Sequence, residues 1–308
     1  MRPVLFFLAV LPISTGSAFG WGCEGHQMIA LIARVHLTPA ASNAVDRLLR
    51  ENPIDPGLNR FCKDRPADLM ADSATWADDA RNIEKTAEWH YIDIPLAVQT
   101  GSGVMKWCKP APDGKPGCIV SAIDYEWALL RDKSQPAAVR AKALRYVIHF
   151  LGDLAQPLHA VDNHDRGGNC TGIRFFSQEK PENLHAIWDY KILARELEAR
   201  KATQVQYAKT LDEDFVRSES KTDVLAWAWE SHTFAATVTY ADLKPPIPIA
   251  SPNSGLADDA ACTAGRAAVA AEHISIDDEY VSHALPVIRE QLVKAGYRLA
   301  GLLNQTFQ

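Results

Sequence analysis

The segment from Pro136 to Ala155 constrains the fold more than any other, because it places ionisable side chains inside an apolar helix. His149 and Asp153 are four residues apart, so a helix brings their Cβ atoms to within about 5–6 Å on one face. The three residues between them are apolar or glycine. Burying an imidazole and a carboxylate is costly unless both find partners. The fold must therefore bring further polar groups to this face.

The same four-residue spacing recurs at His185 and Asp189, and His159 lies between the two pairs along the chain. An imidazole and a carboxylate on one helical face can bind one cation together. Either pair alone is also explained by a surface ion pair. Two pairs on successive helices, with a histidine between them, favour a metal site, because a metal ion satisfies all of these groups at once.

The first twenty residues differ from the rest of the chain. Arg2 precedes an unbroken apolar run, and small residues follow up to Gly20. This pattern predicts a secretory signal peptide over residues 1–20, and it is too short for a membrane span. A short buried N-terminal helix is the alternative. We expect a secreted or periplasmic protein, and we recognise no other stretch long enough for a membrane span.

Cleavage after Gly20 would leave Trp21 with a free α-amine, whose ordinary pKa is about 7.7–8.0. Such an amine becomes a nitrogen ligand when a metal displaces its proton. Trp21 could then offer its amine and carbonyl, and His26 is close enough in sequence to join them. Spacing alone favours a plainer interpretation, in which Trp21 is a buried aromatic residue and His26 caps a helix.

The charge balance limits how the protein could bind a polyanion. The whole chain has 32 basic and 38 acidic residues, and removal of Arg2 with the signal peptide changes the net charge from −6 to −7. A surface with this balance repels nucleic acid in general, so a nucleic-acid enzyme of this composition cannot rely on a basic surface stripe. Affinity for phosphate would have to come from a local positive centre such as bound metal.

Helical patterns dominate the remainder, and we found no repeats or linker. The sequence therefore predicts a mainly α protein with little β structure, folded as a single compact domain over residues 21–308 with long disulfide-stapled loops. The predicted helices cover residues 28–35, 39–50, 67–81, 121–131, 136–155, 182–198, 202–211, 221–240 and 277–304. Ser121 and Asp124 resemble a capping box at the start of the fourth of these helices.

Six cysteines in an exported chain indicate three disulfides, with 15 possible pairings. A loop rich in proline, glycine and lysine favours Cys108 with Cys118. For the other four we expect Cys23 with Cys62 and Cys170 with Cys262. The spacing of the six cysteines does not match that of a zinc knuckle.

Several motifs in this order resemble the zinc-dependent single-strand-specific nucleases, the S-one/P-one type of fungi, plants and bacteria. The resemblance covers residues 21–189 and a short match near residues 294–300. The motifs are Trp21-Gly22 with Gly25-His26, Trp76-Ala77-Asp78, His90, His149 with Asp153 and His159, and His185 with Asp189.

The resemblance implies three zinc ions and a related scaffold. One zinc would be held by Asp78, His90, His149 and Asp153. A second would be held by His159, His185 and Asp189. The third would be bound by the amine and carbonyl of Trp21 with His26, and would share Asp153, which like Asp78 is then also catalytic.

The resemblance also implies the substrate contacts. Arg81 would lie beside the scissile phosphate and act in catalysis. Tyr91 would stack on a base, and Asp93 would hydrogen-bond its edge, while a loop with Gly168 and Asn169 would complete the nucleoside pocket. Packing in the core is the alternative for Tyr91. The implied enzyme is a secreted, zinc-dependent endonuclease that cuts single-stranded DNA and RNA to 5′-phosphorylated products. A 3′-nucleotidase activity is compatible with the same resemblance.

Two other functions are compatible with the same metals. A zinc-dependent phospholipase C resembles this scaffold and also begins its mature chain with Trp, although its last ligand tends to be Glu where Asp189 stands here. A secreted zinc-binding structural protein is the non-enzymatic alternative, and it would hold its metals in closed shells. We expect a monomer without a stable protein partner, acting on nucleic acid or nucleotides.

Overall fold

The computed structural model describes residues 21–110, 113–215 and 222–308. The predicted signal peptide at residues 1–20 lies outside these ranges. So does residue 221, where the sequence analysis placed the start of one helix. Among the described residues, no helix combines the length and the apolar character that a bilayer crossing needs.

The protein is mainly α, as predicted, with very little β structure. The α-helices in chain order are α1 Cys23–Val35, α2 Pro39–Glu51, α3 Leu69–Ser73, α4 Trp76–Glu84, α5 Ile119–Arg131, α6 Ala137–Ala155, α7 Leu184–Ala186, α8 Ile192–Arg200, α9 Gln204–Asp214, α10 Val224–Phe234, α11 Asp259–Ala271 and α12 Asp278–Thr306. A π-helical turn, Ile187–Lys191, joins α7 to α8, and another, Ala235–Thr239, extends α10.

Helix α6 lies at the centre of the core. From Ala143 to Ala155 every residue of this helix is buried, and it packs against α1, α2, α3, α4, α5, α10 and α12. The helix ends where Gln156 precedes Pro157, a residue that disfavours helical backbone before it. The apolar face explains the burial, and the burial places His149 and Asp153 in the interior.

Three short strands form a small sheet in the order β2-β1-β3. Strand β1 is Gly172–Phe175, β2 is Glu182–Asn183 and β3 is Ser275–Ile276. Strand β1 pairs antiparallel with β2, with Gly172 opposite Asn183, and parallel with β3. The sheet follows directly after the loop at residues 162–171, so it supports that loop at its C-terminal end.

The observed elements differ from the expectations at four places. Helix α5 begins at Ile119, and Ser121 is its third residue, where its hydroxyl accepts from the Cys118 amide. The capping box therefore starts at Cys118, and the pairing of Ser121 with Asp124 was wrong. Strand β2 occupies the start of the helix predicted from residue 182, and the helix α11 was not predicted at all.

The fourth difference has a functional consequence. The predicted helix over residues 67–81 is interrupted between α3 and α4, and Ala74 caps the end of α3. A carbonyl at a helix end has no partner within the helix. The oxygen of Ala74 accepts a hydrogen bond from His149 Nδ1 at 2.7 Å. The interruption thus supplies the acceptor that orients this imidazole.

All six cysteines are disulfide-bonded, in the three pairs that the sequence analysis named. The bonds join Cys23 to Cys62, Cys108 to Cys118 and Cys170 to Cys262. The third bond closes the longest stretch of chain and fastens α11 to the loop at residues 162–171.

Candidate metal centre and its cleft

Three buried groups of histidine and aspartate side chains could each hold a metal ion. In each group the candidate ligand atoms all lie within 4.8 Å of one another. The groups are His26 with His149 and Asp153, Asp78 with His90 and His149, and His159 with His185 and Asp189. These are the side chains that the sequence motifs singled out, drawn from α1, α4, α6, α7, the π-helical turn after α7 and two 3₁₀ turns.

The first centre surrounds His149 on α6. Its Nε2 lies 3.0 Å from Asp153 Oδ2, 3.1 Å from His90 Nδ1 and 3.7 Å from Asp78 Oδ1. Ligands about 2.0–2.1 Å from a tetrahedral zinc are about 3.3 Å from one another. The observed separations are close to this value, and both oxygens of Asp78 are buried without a hydrogen-bond partner. The donor set therefore fits a zinc ion.

The second centre brings the Nε2 atoms of two imidazoles, those of His159 and His185, close together. His159 Nδ1 donates to the carbonyl of His90 at 2.7 Å, and His185 Nδ1 donates to the carbonyl of Gly167 at 2.6 Å. With Nδ1 as the donor in each neutral ring, the two Nε2 lone pairs face each other across 3.0 Å and repel. Only a proton or a metal cation between them relieves this repulsion. Asp189 Oδ2, 3.4 Å from His185 Nε2, adds a negative ligand and favours a metal.

Gln156 links two ligands of the second centre, and the sequence analysis did not single it out. Its Nε2 donates to Asp189 Oδ1 at 2.5 Å, and its Oε1 accepts from the amide of Leu158 at 2.5 Å. The second bond caps the short 3₁₀ turn that carries His159. One buried amide thereby fixes both the carboxylate and the turn. Its place between Asp153 and His159 in the sequence was the only signal that could have identified it.

His26 enters the centre through a gap in α6. A Cβ on Gly152 would lie 2.5 Å from His26 Nδ1, so only glycine leaves room for this ring. The ring stacks on His149 with centroids 4.2 Å apart, and its Nε2 is 3.2 Å from Asp153 Oδ1. Neither ring nitrogen has a hydrogen-bond partner, and burial lowers the pKa of His26 to about 4. A neutral, unsatisfied imidazole beside a carboxylate is suited to metal binding.

The pKa values of these buried side chains show that their ionised carboxylates are unfavourable without a cation. Burial raises the pKa of Asp78, and it raises the pKa of Asp189 well above its ordinary value. Burial opposes protonation of His149, yet the carboxylates of Asp153 and Asp78 raise its pKa to about 9. In effect, protons take up negative charge that a divalent cation would otherwise neutralise.

The segment that begins at Trp21 lies beside the second centre. Trp21 is fully buried, and the amide of the next residue, Gly22, donates to the carbonyl of Asp189 at 2.8 Å. His26 follows within the first turn of α1. The start of the described chain is thus held close to one candidate metal ligand, Asp189, and five residues from another, His26.

A cleft of about 1040 Å³ opens over the buried groups. Arg81, Tyr91 and Asp93 line it together with His90, His159 and His185. The Arg81 guanidinium lies 3.9 Å from Asp78 Oδ1, one turn along α4. Burial, with Asp162 as the next contribution, raises the pKa of Asp93 to about 8. A carboxyl group that is largely protonated at neutral pH can both donate and accept a hydrogen bond.

The loop at residues 162–171 forms another part of the cleft. Gly167 and Asn169 line it, whereas the amide of Gly168 donates to Asp165 Oδ1 at 3.0 Å and its carbonyl accepts from the amide of His185. Asp165 also accepts from Tyr240 and Thr171. Gly168 therefore shapes the loop. The buried carboxylate of Asp165 ties the loop to Tyr240, the residue that follows the π-helical extension of α10.

Comparison with known proteins is consistent with this geometry. Residues 21–308 match the family model described as S1/P1 nuclease. The chain is 30% identical to Endonuclease 2 of Arabidopsis thaliana over 94% of its own length and 91% of the relative's. It is 29% identical to Nuclease S1 of Aspergillus oryzae, covering 96% of each chain, and 25% identical to Nuclease P1 of Penicillium citrinum, covering 92% and 97%.

Proposed function

This chain belongs to the S1/P1 nuclease family and is a phosphodiester hydrolase, and we propose that it is an exported enzyme that uses three zinc ions to cut single-stranded DNA and RNA. Its products would carry 5′-phosphates, and the same centre could remove a 3′-phosphate from a nucleotide. One observation carries the zinc assignment: imidazole nitrogens and buried carboxylates converge at separations typical of zinc ligands.

The proposed ligands divide among three ions. Asp78, His90, His149 and Asp153 hold one zinc, and His159, His185 and Asp189 hold another. The third is bound by His26, by Asp153 as a shared ligand, and by the amine and carbonyl of Trp21. Bound zinc supplies positive charge for the phosphodiester and lowers the pKa of bound water toward about 7.

The ligand role of Trp21 depends on removal of residues 1–20, because only cleavage frees the amine. Two features support this role: the burial of Trp21 and the bond from Gly22 to the carbonyl of Asp189. Three disulfides are typical of a protein that folds in an oxidising compartment. We therefore place the enzyme outside the cytoplasm, secreted or periplasmic, and acting without a protein partner.

The chain's own side chains orient the substrate. Arg81 lies at the cleft wall one turn from Asp78, where its guanidinium can donate to the reacting phosphate. The protonated carboxyl group of Asp93 presents a donor and an acceptor to the edge of a base. Asn169 and the loop around Gly168 close the nucleoside pocket.

Single strands are preferred because Tyr91 requires an exposed base face. The ring lies in the cleft beside His90, and stacking of a base on an aromatic ring contributes about 1–3 kcal/mol with little dependence on base identity. Bases in a duplex are already stacked on one another. The recessed position of the buried ligands further disfavours a rigid double helix.

Asp153→Ala tests the assignment. We expect it to abolish cleavage of single-stranded DNA and to lower the zinc content of the purified protein, because Asp153 serves two of the proposed sites. Asp212→Ala is the matched control: Asp212 pairs with His36 Nε2 at 2.6 Å and is not a proposed ligand. An Asp153→Ala protein with full zinc content and a near-normal rate would show that the ligands are wrongly assigned.

Two further measurements complete the test. Phosphatidylcholine vesicles serve as the competing substrate, and their hydrolysis in place of single-stranded DNA would favour phospholipase C. The mass of the exported protein should correspond to a chain that begins at Trp21.

A further inference from the structure

We propose that helix α11 is a wall of the substrate cleft and that Arg266 on this helix binds a phosphate of the nucleic acid backbone beyond the scissile one. The proposal rests on the nuclease function and extends it to the part of the polynucleotide that does not react. It assigns a role to a helix that the sequence motifs did not identify.

One face of α11 is turned toward the cleft. The lining residues from this helix recur every three or four positions, which is the spacing of a single helical stripe. They are Asp259, Cys262, Thr263, Arg266, Ala267 and Ala270. Most of these side chains are small, so they leave space for a ligand. Arg266 is the cation of the stripe.

The helix is fastened at the rim of the centre. The disulfide from Cys262 to Cys170 ties it to the residue after Asn169. A Cβ on Gly172 would lie 2.6 Å from the carbonyl oxygen of Arg266, so the absence of a side chain there allows the helix to contact β1 directly. The position of Arg266 relative to the cleft is therefore set by both covalent and packing constraints.

The arginines of the cleft differ in how strongly protein groups engage them. Arg166 donates to the carbonyl of Ala257 at 2.8 Å and pairs with Asp259 at 2.9 Å. Arg266 has a side chain that is 42% exposed, and its Nη2 is 3.6 Å from Glu182 Oε1, too long for a hydrogen bond. A phosphate can displace so loose an ion pair at little cost.

The volume of the cleft and the net charge of the chain both indicate that a contact to a second phosphate would strengthen binding. The cleft volume of about 1040 Å³ is at the upper end of the range of about 300–1,000 Å³ that is typical of small-ligand sites. It has room for more than the reacting nucleotide. Because the chain carries a net charge of −6, a polyanion must be attracted locally, and Arg266 supplies a positive charge away from the buried ligands.

The experiment compares two substrates in Arg266→Gln and the wild type, both as full zinc-loaded enzymes. A single-stranded oligothymidylate has flanking phosphates, whereas bis(4-nitrophenyl) phosphate has only the reacting one. We expect kcat/KM for the oligonucleotide to fall about fivefold, and its dependence on log salt concentration to become shallower by about 0.7. The rate on the small diester should not change, and Arg266→Lys should restore most of the loss.

Arg195→Gln is the matched control. Arg195 has a similar side-chain exposure of 47%, and it lies on α8 away from the cleft lining. It pairs with Asp278 at 3.0 Å, and its guanidinium lies 3.9 Å from the centroid of the Phe176 ring. It should leave both substrates unaffected. An unchanged salt dependence in Arg266→Gln, or an equal loss on both substrates, would overturn the role of Arg266 alone. A wild-type enzyme that cleaves the small diester but no oligonucleotide would overturn the nuclease function as well.

Discussion

Replacement of Gln156 by leucine should weaken zinc binding without unfolding the protein. The change removes the 2.5 Å bond to Asp189 Oδ1 and the 2.5 Å bond from the Leu158 amide, on the turn that carries His159. A hydrogen bond to a charged group contributes about 1.5–3 kcal/mol, which corresponds to a loss of about 10- to 100-fold in affinity for metal. Losses of this size are typical when the partners of metal ligands are removed.

The assay is dialysis against a graded series of chelator concentrations, followed by a count of zinc per chain. Gln156→Glu separates the two bonds, because it keeps the acceptor for Leu158 and loses the donor to Asp189. Gln291→Leu is the control: this glutamine is also fully buried and donates to Ala155 and Ser231. If both leucine variants retain zinc as the wild type does, Gln156 does not position these ligands and the reasoning fails.

Two further outcomes depend on charge and on chain topology. Burial raises the pKa of Asp93 to about 8 in the folded protein, whereas in the unfolded chain this carboxyl group loses its proton above about pH 4. The folded state therefore becomes less stable relative to the unfolded state as pH rises from about 4 toward about 8. Asp93→Asn should flatten the decline of the thermal midpoint over that range, and parallel curves for variant and wild type would contradict this. Cys170 and Cys262 are 92 residues apart, whereas Cys108 and Cys118 are 10 apart. Serine replacement of the first pair should therefore lower the free energy of unfolding, measured with denaturant, by about 2 kcal/mol more than replacement of the second pair. Equal losses of unfolding free energy would argue against loop-closure entropy as the cause.

The helical core was predictable because its signals are local. The apolar face of α6 specifies a buried helix, and the residues four apart on it share one face wherever that helix lies. His149 and Asp153 therefore follow from the sequence as a pair. Likewise the proline after Gln156 limits the helix at its observed end.

The contacts that orient the ligands were not predictable, because they join segments far apart in the sequence. The carbonyl of Ala74 is available to His149 only because α3 stops there. Gly152 gives no sign in the sequence that it makes room for His26, 126 positions earlier in the chain. Such partners depend on how helices pack, and periodicity contains no information about that.

Helix α11 was missed for a different physical reason. Its sequence is rich in alanine and none of its residues is fully buried, so it lacks the apolar stripe by which amphipathic helices are recognised. The disulfide at Cys262 and the glycine at position 172 hold it in place instead. A helix held by these constraints can expose a whole face to the cleft.

The acidic surface and the buried metal ligands together explain how a protein of net charge −6 could act on a polyanion. Long-range attraction is weak or repulsive, so binding energy must arise within about one Debye length, about 8–10 Å at moderate ionic strength. Arg81, Arg266 and three histidines of the proposed zinc sites all line one cleft. Only a strand that is flexible enough to bring its phosphates down to the proposed zinc ligands while its bases stack on Tyr91 can make all of these contacts. Selectivity for single strands then follows from where the positive charge is placed, with no need for a residue that rejects a duplex.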